Sequence, residues 1–202
     1  MLYSVIYYAL IVSIVALSYV LLLIYILKHW RSSSPSPEID KENISISIII
    51  PVRNEAENIA ACLQSILHNE EIEEINPQII VVDDHSTDDT LQIVRALNSK
   101  YISALELKDV MLGQGVNAYK KMAINYGHSK ASGSYIIQLD GDVTVGKNYL
   151  RTIKAFIEKN AGDFIAAPVV ISEHDSFLAR FQGLDMAGLM ALTNSGIDTG
   201  HW

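Results

Sequence analysis

No charged side chain occurs between Met1 and Leu27, where Leu, Ile, Val and Tyr dominate. Such a run exceeds the roughly 20 apolar residues an α-helix needs to cross a bilayer. Tyr3, Tyr7 and Tyr8 at one end, and Tyr25 and Trp30 at the other, suit the two membrane interfaces. Lys28 and Arg31 follow the run and no basic residue precedes it. The positive-inside tendency therefore predicts an outside N-terminus and a cytoplasmic location for everything after Arg31. A cleaved signal peptide needs a basic n-region, a shorter apolar core and a small-residue cleavage site. The basic n-region is missing and the run is too long, so residues 1–28 read as a single-pass anchor.

Ser32-Ser33-Ser34-Pro35-Ser36-Pro37 is a polar, Pro-rich stretch within a linker over 29–43. Beyond it, residues 44–202 are expected to form one globular domain. Short apolar runs alternate there with helical spacing. Buried strands are predicted at Ser45–Val52, Ile79–Val82, Ser103–Leu107, Tyr135–Leu139 and Phe164–Ile171, the last interrupted by Pro168. Helices are predicted at Glu55–His68, Asp88–Asn98, Asn117–Ala131, Lys147–Lys159 and Phe177–Leu192. Ser86 with Asp89 three residues on reads as a capping-box start for the second of these. The alternation predicts an α/β fold, a mostly parallel Rossmann-like sheet with helices on both faces.

The net charge of −8, with no basic run beyond Lys120-Lys121, argues against a nucleic-acid partner, which requires a basic face. The single cysteine, Cys62, excludes an internal disulfide and suits a reducing compartment. Its place in an apolar helical pattern makes it a small core residue rather than a reactive one.

Four segments fall at or just after the C-terminal ends of predicted strands, or on the helix between them: 50–55 (Ile-Pro-Val-Arg-Asn-Glu), 82–88 (Val-Asp-Asp-His-Ser-Thr-Asp), 120–125 (Lys-Lys-Met-Ala-Ile-Asn) and Asp140-Gly141-Asp142. The carboxyl edge of an open parallel sheet is where such folds bind ligands. Two carboxylates one residue apart offer hard oxygens to Mg²⁺ or Mn²⁺, which share their remaining sites with water and phosphates. Each segment also has a plain structural reading. Asp83 to Thr87 fits a strand-to-helix turn capped by Ser86. Lys120 and Lys121 fit solvated helix charges, and Glu55 fits a first-turn residue favoured by the helix dipole. Arg53 and Asn54 read as loop-shaping. His85, His128 and His174 share no metal-ligand spacing, and Asp163, Asp175 and Asp185 lack a motif.

In this order and spacing, the four segments resemble the nucleotide-sugar-binding half of a family 2 glycosyltransferase with the GT-A fold, over about residues 45–171. The resemblance implies a nucleoside diphosphate sugar donor, a uridine one by preference, and a lipid or glycan acceptor. It implies that Asp84 accepts a hydrogen bond from a uracil-like imide N–H, that Glu55 faces the ribose and that Lys120 lies near the diphosphate. Pro51 joins the donor site. Asp140 lies near ribose and metal, and Asp142 binds the Mg²⁺ or Mn²⁺ directly. The family's general base is usually the Asp of a Glu-Asp pair, and no adjacent Glu-Asp occurs in this sequence. The base and the acceptor half are therefore expected beyond Trp202, leaving a chain that binds donor but transfers sugar poorly. If the base lies within the chain, Asp175, Asp185 and Asp198 are the first carboxylates to test.

Three other readings compete. Asp140-Gly141-Asp142-Val143-Thr144 also fits the nucleophile motif of a haloacid-dehalogenase-like phosphatase, but the acidic pair such a fold needs on later strands is missing. A phospho-receiver domain built on Asp83-Asp84 would begin with that strand, whereas here a strand and a helix precede it. A fragment that binds nucleotide without turnover is the third.

Overall fold

The computed structural model describes residues 2–29, 44–107, 119–160, 165, 167–171 and 176–198. The expected linker therefore lies almost entirely outside the described residues. The chain divides into two compact units, Met1–Pro37 with Gly162–Trp202, and Glu38–Ala161. The breaks fall after Pro37 and after Ala161, whereas the sequence reading ran one domain over 44–202.

The first unit contains α1 (Leu2–His29) and α7 (Phe177–Asp198), which pack against each other. Between Ile6 and Tyr25, α1 is long and apolar enough to cross a membrane, and its side chains there are exposed. The α7 helix extends past the expected end at Leu192, and Phe177, Leu178, Phe181, Leu184 and Leu189 on it are exposed.

The second unit is built on β1 (Ile46–Val52), β2 (Gln78–Asp83), β3 (Ile102–Glu106) and β4 (Tyr135–Gln138), all parallel, in the order β3-β2-β1-β4. Its helices are α2 (Ile59–Leu67), α3 (Ile72–Ile75), α4 (Thr90–Ala96), α5 (Tyr119–Lys130) and α6 (Tyr149–Asn160). Every residue of β1 is buried, as a central strand covered on both faces must be. Ile48, Ile50 and Val81 point to one side, against Ile59, Leu63 and Ile66 of α2, Val94 of α4 and Leu150 of α6. Ile80 and Val82 point to the other, against Ala123 of α5. There the helix approaches closely: a Cβ on Gly127 would stand 2.6 Å from Ile49 Cγ2.

The chain steps from β1 to β2 to β3 in one direction, then returns to place β4 on the far side of β1. The crevice at the carboxyl ends of β1 and β4 is the topological switch point, the place where open α/β sheets bind ligands. Pro51 helps to open it. Ile49 C=O accepts the Leu139 N–H at 3.1 Å. Residue 51 is the next on that side of β1, and proline has no N–H to continue the ladder. The β1–β4 hydrogen-bond ladder therefore ends at Leu139.

Several boundaries differ from the sequence reading for identifiable reasons. Glu55–Asn58 precede α2 rather than belonging to it, because Asn54 adopts a left-handed φ of 56° and turns the chain. The α4 helix starts at Thr90, two residues later than expected, and no Ser86–Asp89 capping box forms. Instead Asp88 Oδ1 accepts the Thr90 N–H at 3.1 Å. The short α3 was not anticipated. The expected strand Phe164–Ile171 is not formed among the described residues; Ala167 to Val170 are exposed, and Pro168 removes a ladder donor.

Candidate functional site

The loops after β1, β2 and β4, with the first turn of α5, enclose a cleft of about 600 Å³. Pro51, Val52, Arg53 and Glu55 line it from β1 and the loop beyond, and Asp84 from the end of β2. Lys120 and Lys121 line it from α5, and Asp140, Gly141 and Asp142 from the turn after β4. All six residues expected at a site, Pro51, Glu55, Asp84, Lys120, Asp140 and Asp142, therefore share one cleft, in the size range of small-molecule sites.

The loops after β1 and β2 lace together. Asn54 N–H donates to Ser86 Oγ at 3.0 Å, and Asn54 Oδ1 accepts the Thr87 N–H at 2.8 Å. Glu55 N–H donates to Thr90 Oγ1 at 2.8 Å, and Ala56 N–H to Asp88 Oδ2 at 3.1 Å. The Thr90 hydroxyl hydrogen bond is the first cause that holds the Asp88 carboxyl below its usual range. Ser86, read from sequence as a helix cap, is instead a tie between loops. Asn54, read as loop-shaping, does shape it. Glu55 Oε2 accepts from Asn58 Nδ2 at 3.0 Å.

Asp84 is 5% exposed. Its N–H donates to Val52 C=O at 2.8 Å, extending the β1–β2 ladder by one bond. Its Oδ1 pairs with His85 Nδ1 at 3.0 Å, and its Oδ2 lies 3.9 Å from Arg53 Nη1. Neither contact is legible in the sequence, where Arg53 reads as loop-shaping and His85 shares no metal-ligand spacing. The neighbouring Asp83 is also buried; its Oδ2 accepts the Ser86 N–H at 3.2 Å.

Across the cleft, Lys120 Nζ donates to Asp140 Oδ1 at 2.9 Å. Both side chains are half exposed or more, so the pair adds only about 0–1 kcal/mol; it does place an ammonium beside the Asp140-Gly141-Asp142 turn. That turn is closed by Val143 N–H to Asp140 C=O at 3.2 Å. A Cβ on Gly141 would stand 2.9 Å from Val52 Cγ1, so only glycine lets the turn sit down on β1. Among the described residues no group of three or more His, Cys, Asp or Glu is placed to hold a metal. The two exposed carboxylates fit a hard divalent cation whose shell is completed by phosphate oxygens and water, the usual manner of Mg²⁺.

Cys62 lies beneath the turn, its Sγ 3.8 Å from Asp140 C=O. Burial, then the charges of Asp142 and Glu55, push the thiol up to about 11. A thiol this weakly acidic holds roughly a hundredfold less thiolate near pH 8 than a free cysteine. Iodoacetamide at pH 8 is therefore expected to label the folded chain at least about 100-fold more slowly than the urea-unfolded chain, read by mass spectrometry. Equal rates would contradict the buried placement.

The model of the glycosyl transferase family 2 matches residues 47–195. Poly(ribitol-phosphate) beta-glucosyltransferase of Bacillus spizizenii is 32% identical over 120 residues, 59% of this chain and 18% of that protein. The crystal structure of S. aureus TarS 1-349 in complex with UDP-GlcNAc superposes with a TM-score of 0.50 at 25% identity, covering 65% of this chain and 39% of that one. The mannosyltransferase PcManGT from Pyrobaculum calidifontis, with GDP-Man and Mn²⁺, gives 0.53 at 20% identity over 75% of this chain and 43% of that one, a likeness of fold alone. The chain spans about a fifth of the length of the first curated relatives it matches. The family match takes in all four strands, the laced loops and both carboxylates of the turn. With a parallel GT-A-like sheet under them, the chain belongs to glycosyl transferase family 2.

Proposed function

We propose that this chain binds a UDP-sugar and serves its transfer, metal-assisted and with inversion, to a lipid or polysaccharide acceptor at the cytoplasmic face of a membrane. The convergence of Glu55, Asp84, Lys120, Asp140 and Asp142 on one cleft at the switch point carries the reading. UDP-GlcNAc in the TarS complex supports the choice of donor.

The roles follow from position. Asp84, buried at the floor, accepts the imide N–H of the base. Glu55 accepts from ribose hydroxyls, which favour an acidic partner. Lys120, already beside Asp140, supplies positive charge to the diphosphate, and Pro51 lines the same cleft. Asp142, with Asp140, would hold Mg²⁺ or Mn²⁺, which when bound neutralises charge on the departing diphosphate. Anchoring by α1, with Lys28 and Arg31 on the cytoplasmic side, tethers the chain to the membrane that carries a lipid-linked acceptor.

Calorimetry on the full chain in detergent tests donor binding. UDP is expected to bind in the presence of Mn²⁺ or Mg²⁺ and more weakly in EDTA; no UDP binding in either condition rejects the proposal. Topology is read separately by protease protection in oriented vesicles. Residues after Arg31 are expected to be cleaved from the cytoplasmic side, and protection there would reverse the orientation.

A further inference from the structure

The contacts of Asp84 carry more than its own role. His85 has a φ of 58°, in the left-handed region that glycine and asparagine enter most easily. Here the turn brings the imidazole back onto the preceding side chain, with Nδ1 3.0 Å from Asp84 Oδ1. The turn is held on either side, by Asp84 N–H to Val52 C=O and by Ser86 N–H to Asp83 Oδ2. One carboxylate oxygen is thereby fixed. The other, Oδ2, faces Arg53 Nη1 at 3.9 Å, beyond hydrogen-bond distance. The Arg53 side chain is 58% exposed and lines the cleft.

We infer that Arg53 and His85 set the base selectivity of the cleft: His85 holds Asp84 Oδ1 so that Oδ2 is presented, and Arg53 donates beside it. The inference rests on the donor-binding reading above. An acceptor next to a donor complements an imide edge, in which an N–H stands beside a carbonyl. Uracil has that edge, with N3–H flanked by two carbonyls. Cytosine is the same size but inverts it, with an acceptor at N3 and an amino group beside it. The N3 lone pair would then face the buried Asp84 carboxylate and the amino group would face the guanidinium, setting acceptor against acceptor and donor against donor. Arg53 contributes specificity by touching the base. His85 is a positioning residue that acts through Asp84.

UDP and CDP share the ribose and diphosphate, so the ratio of their affinities isolates the base from every contact that Lys120 or a metal makes. The ratio is to be measured by calorimetry on the full chain in detergent, with Mn²⁺. Wild type is expected to prefer UDP by at least about tenfold, the scale of one two-point base contact. Arg53→Ala should lower the ratio about tenfold. His85→Gly, which keeps the backbone conformation and removes the ring, should lower it as well. His85→Asn, which tolerates the left-handed turn and keeps a side-chain donor, should restore it. An unchanged ratio in either Arg53→Ala or His85→Gly overturns the role of that residue while donor binding stands. Failure of His85→Asn to restore the ratio overturns the ring's role as a donor. A wild type that binds UDP and CDP equally overturns base selectivity, and one that binds neither overturns the donor-binding reading with it.

Discussion

Asp142→Asn is expected to remove the effect of Mn²⁺ on UDP binding. In wild type, adding Mn²⁺ should tighten UDP; in the variant, titrations with Mn²⁺ and with EDTA should coincide. The exchange keeps the size of the side chain and removes its charge. The turn itself should persist, because it is closed through backbone atoms, Val143 N–H to Asp140 C=O, and through Gly141 seated on Val52. Far-UV circular dichroism should therefore match wild type. Among the described residues no group of three or more His, Cys, Asp or Glu is placed to hold a metal, so no further ligand compensates for the loss. Removing even an outer partner of a metal ligand costs about 10–100-fold in metal affinity, and the loss of a ligand is expected to reach at least that. A Mn²⁺ effect of wild-type size in the variant would remove Asp142 from the metal site.

The largest expected effect on stability is at Gly133, far from the cleft. A Cβ added there would stand 2.5 Å from Ser47 N and 2.8 Å from Ile46 C, both backbone atoms of the central strand. No rotamer change can relieve that contact. The region is also tightly hydrogen bonded. Gly133 N–H donates to Ser47 Oγ at 2.8 Å, and Ser47 Oγ donates to Gln78 Oε1 at 2.7 Å. Gln78 Nε2 reaches Lys130 C=O at 3.0 Å at the end of α5. Pushing residue 133 outward separates the start of β4 from β1 and strains each of these bonds. Gly133→Ala is expected to lower the unfolding free energy by about 2–4 kcal/mol. Urea denaturation should show this as a lower midpoint with an unchanged slope. A midpoint equal to wild type would mean the strand ends do not approach as described.

Much of this was legible beforehand. The apolar runs at Ile46–Val52 and Ile79–Val82 are continuous rather than alternating, which marks strands covered on both faces, and both became central strands. Their alternation with helical patterns required parallel pairing. From that, the carboxylates Asp84, Asp140 and Asp142 had to lie along one edge of the sheet. Two of the places where local reading failed share a feature: each depends on a partner remote in the chain. Glu55 looks like the start of a helix until Thr90 takes its N–H. Ser86 looks like a cap until the Asn54 N–H takes its hydroxyl. The run at Phe164–Ile171 has strand composition, yet its described residues form none.

The sequence by itself determined the class of fold, the apolar N-terminal helix, the family resemblance and six of the residues that line the cleft. These depend on periodicity, on charge and on short motifs, all properties of neighbours in the chain. Only the tertiary structure decided that α7 packs with α1, that two loops are laced across Asn54 and Ser86, and that Cys62 lies beneath the acidic turn. It also decided that Asp84 stands between His85 and Arg53. Hydrogen bonds and packing act over a few ångströms, and for most of these contacts no pattern in the sequence reports that distance. His85 is adjacent to Asp84 in the chain, but its contact depends on a left-handed turn that the laced loops hold in place.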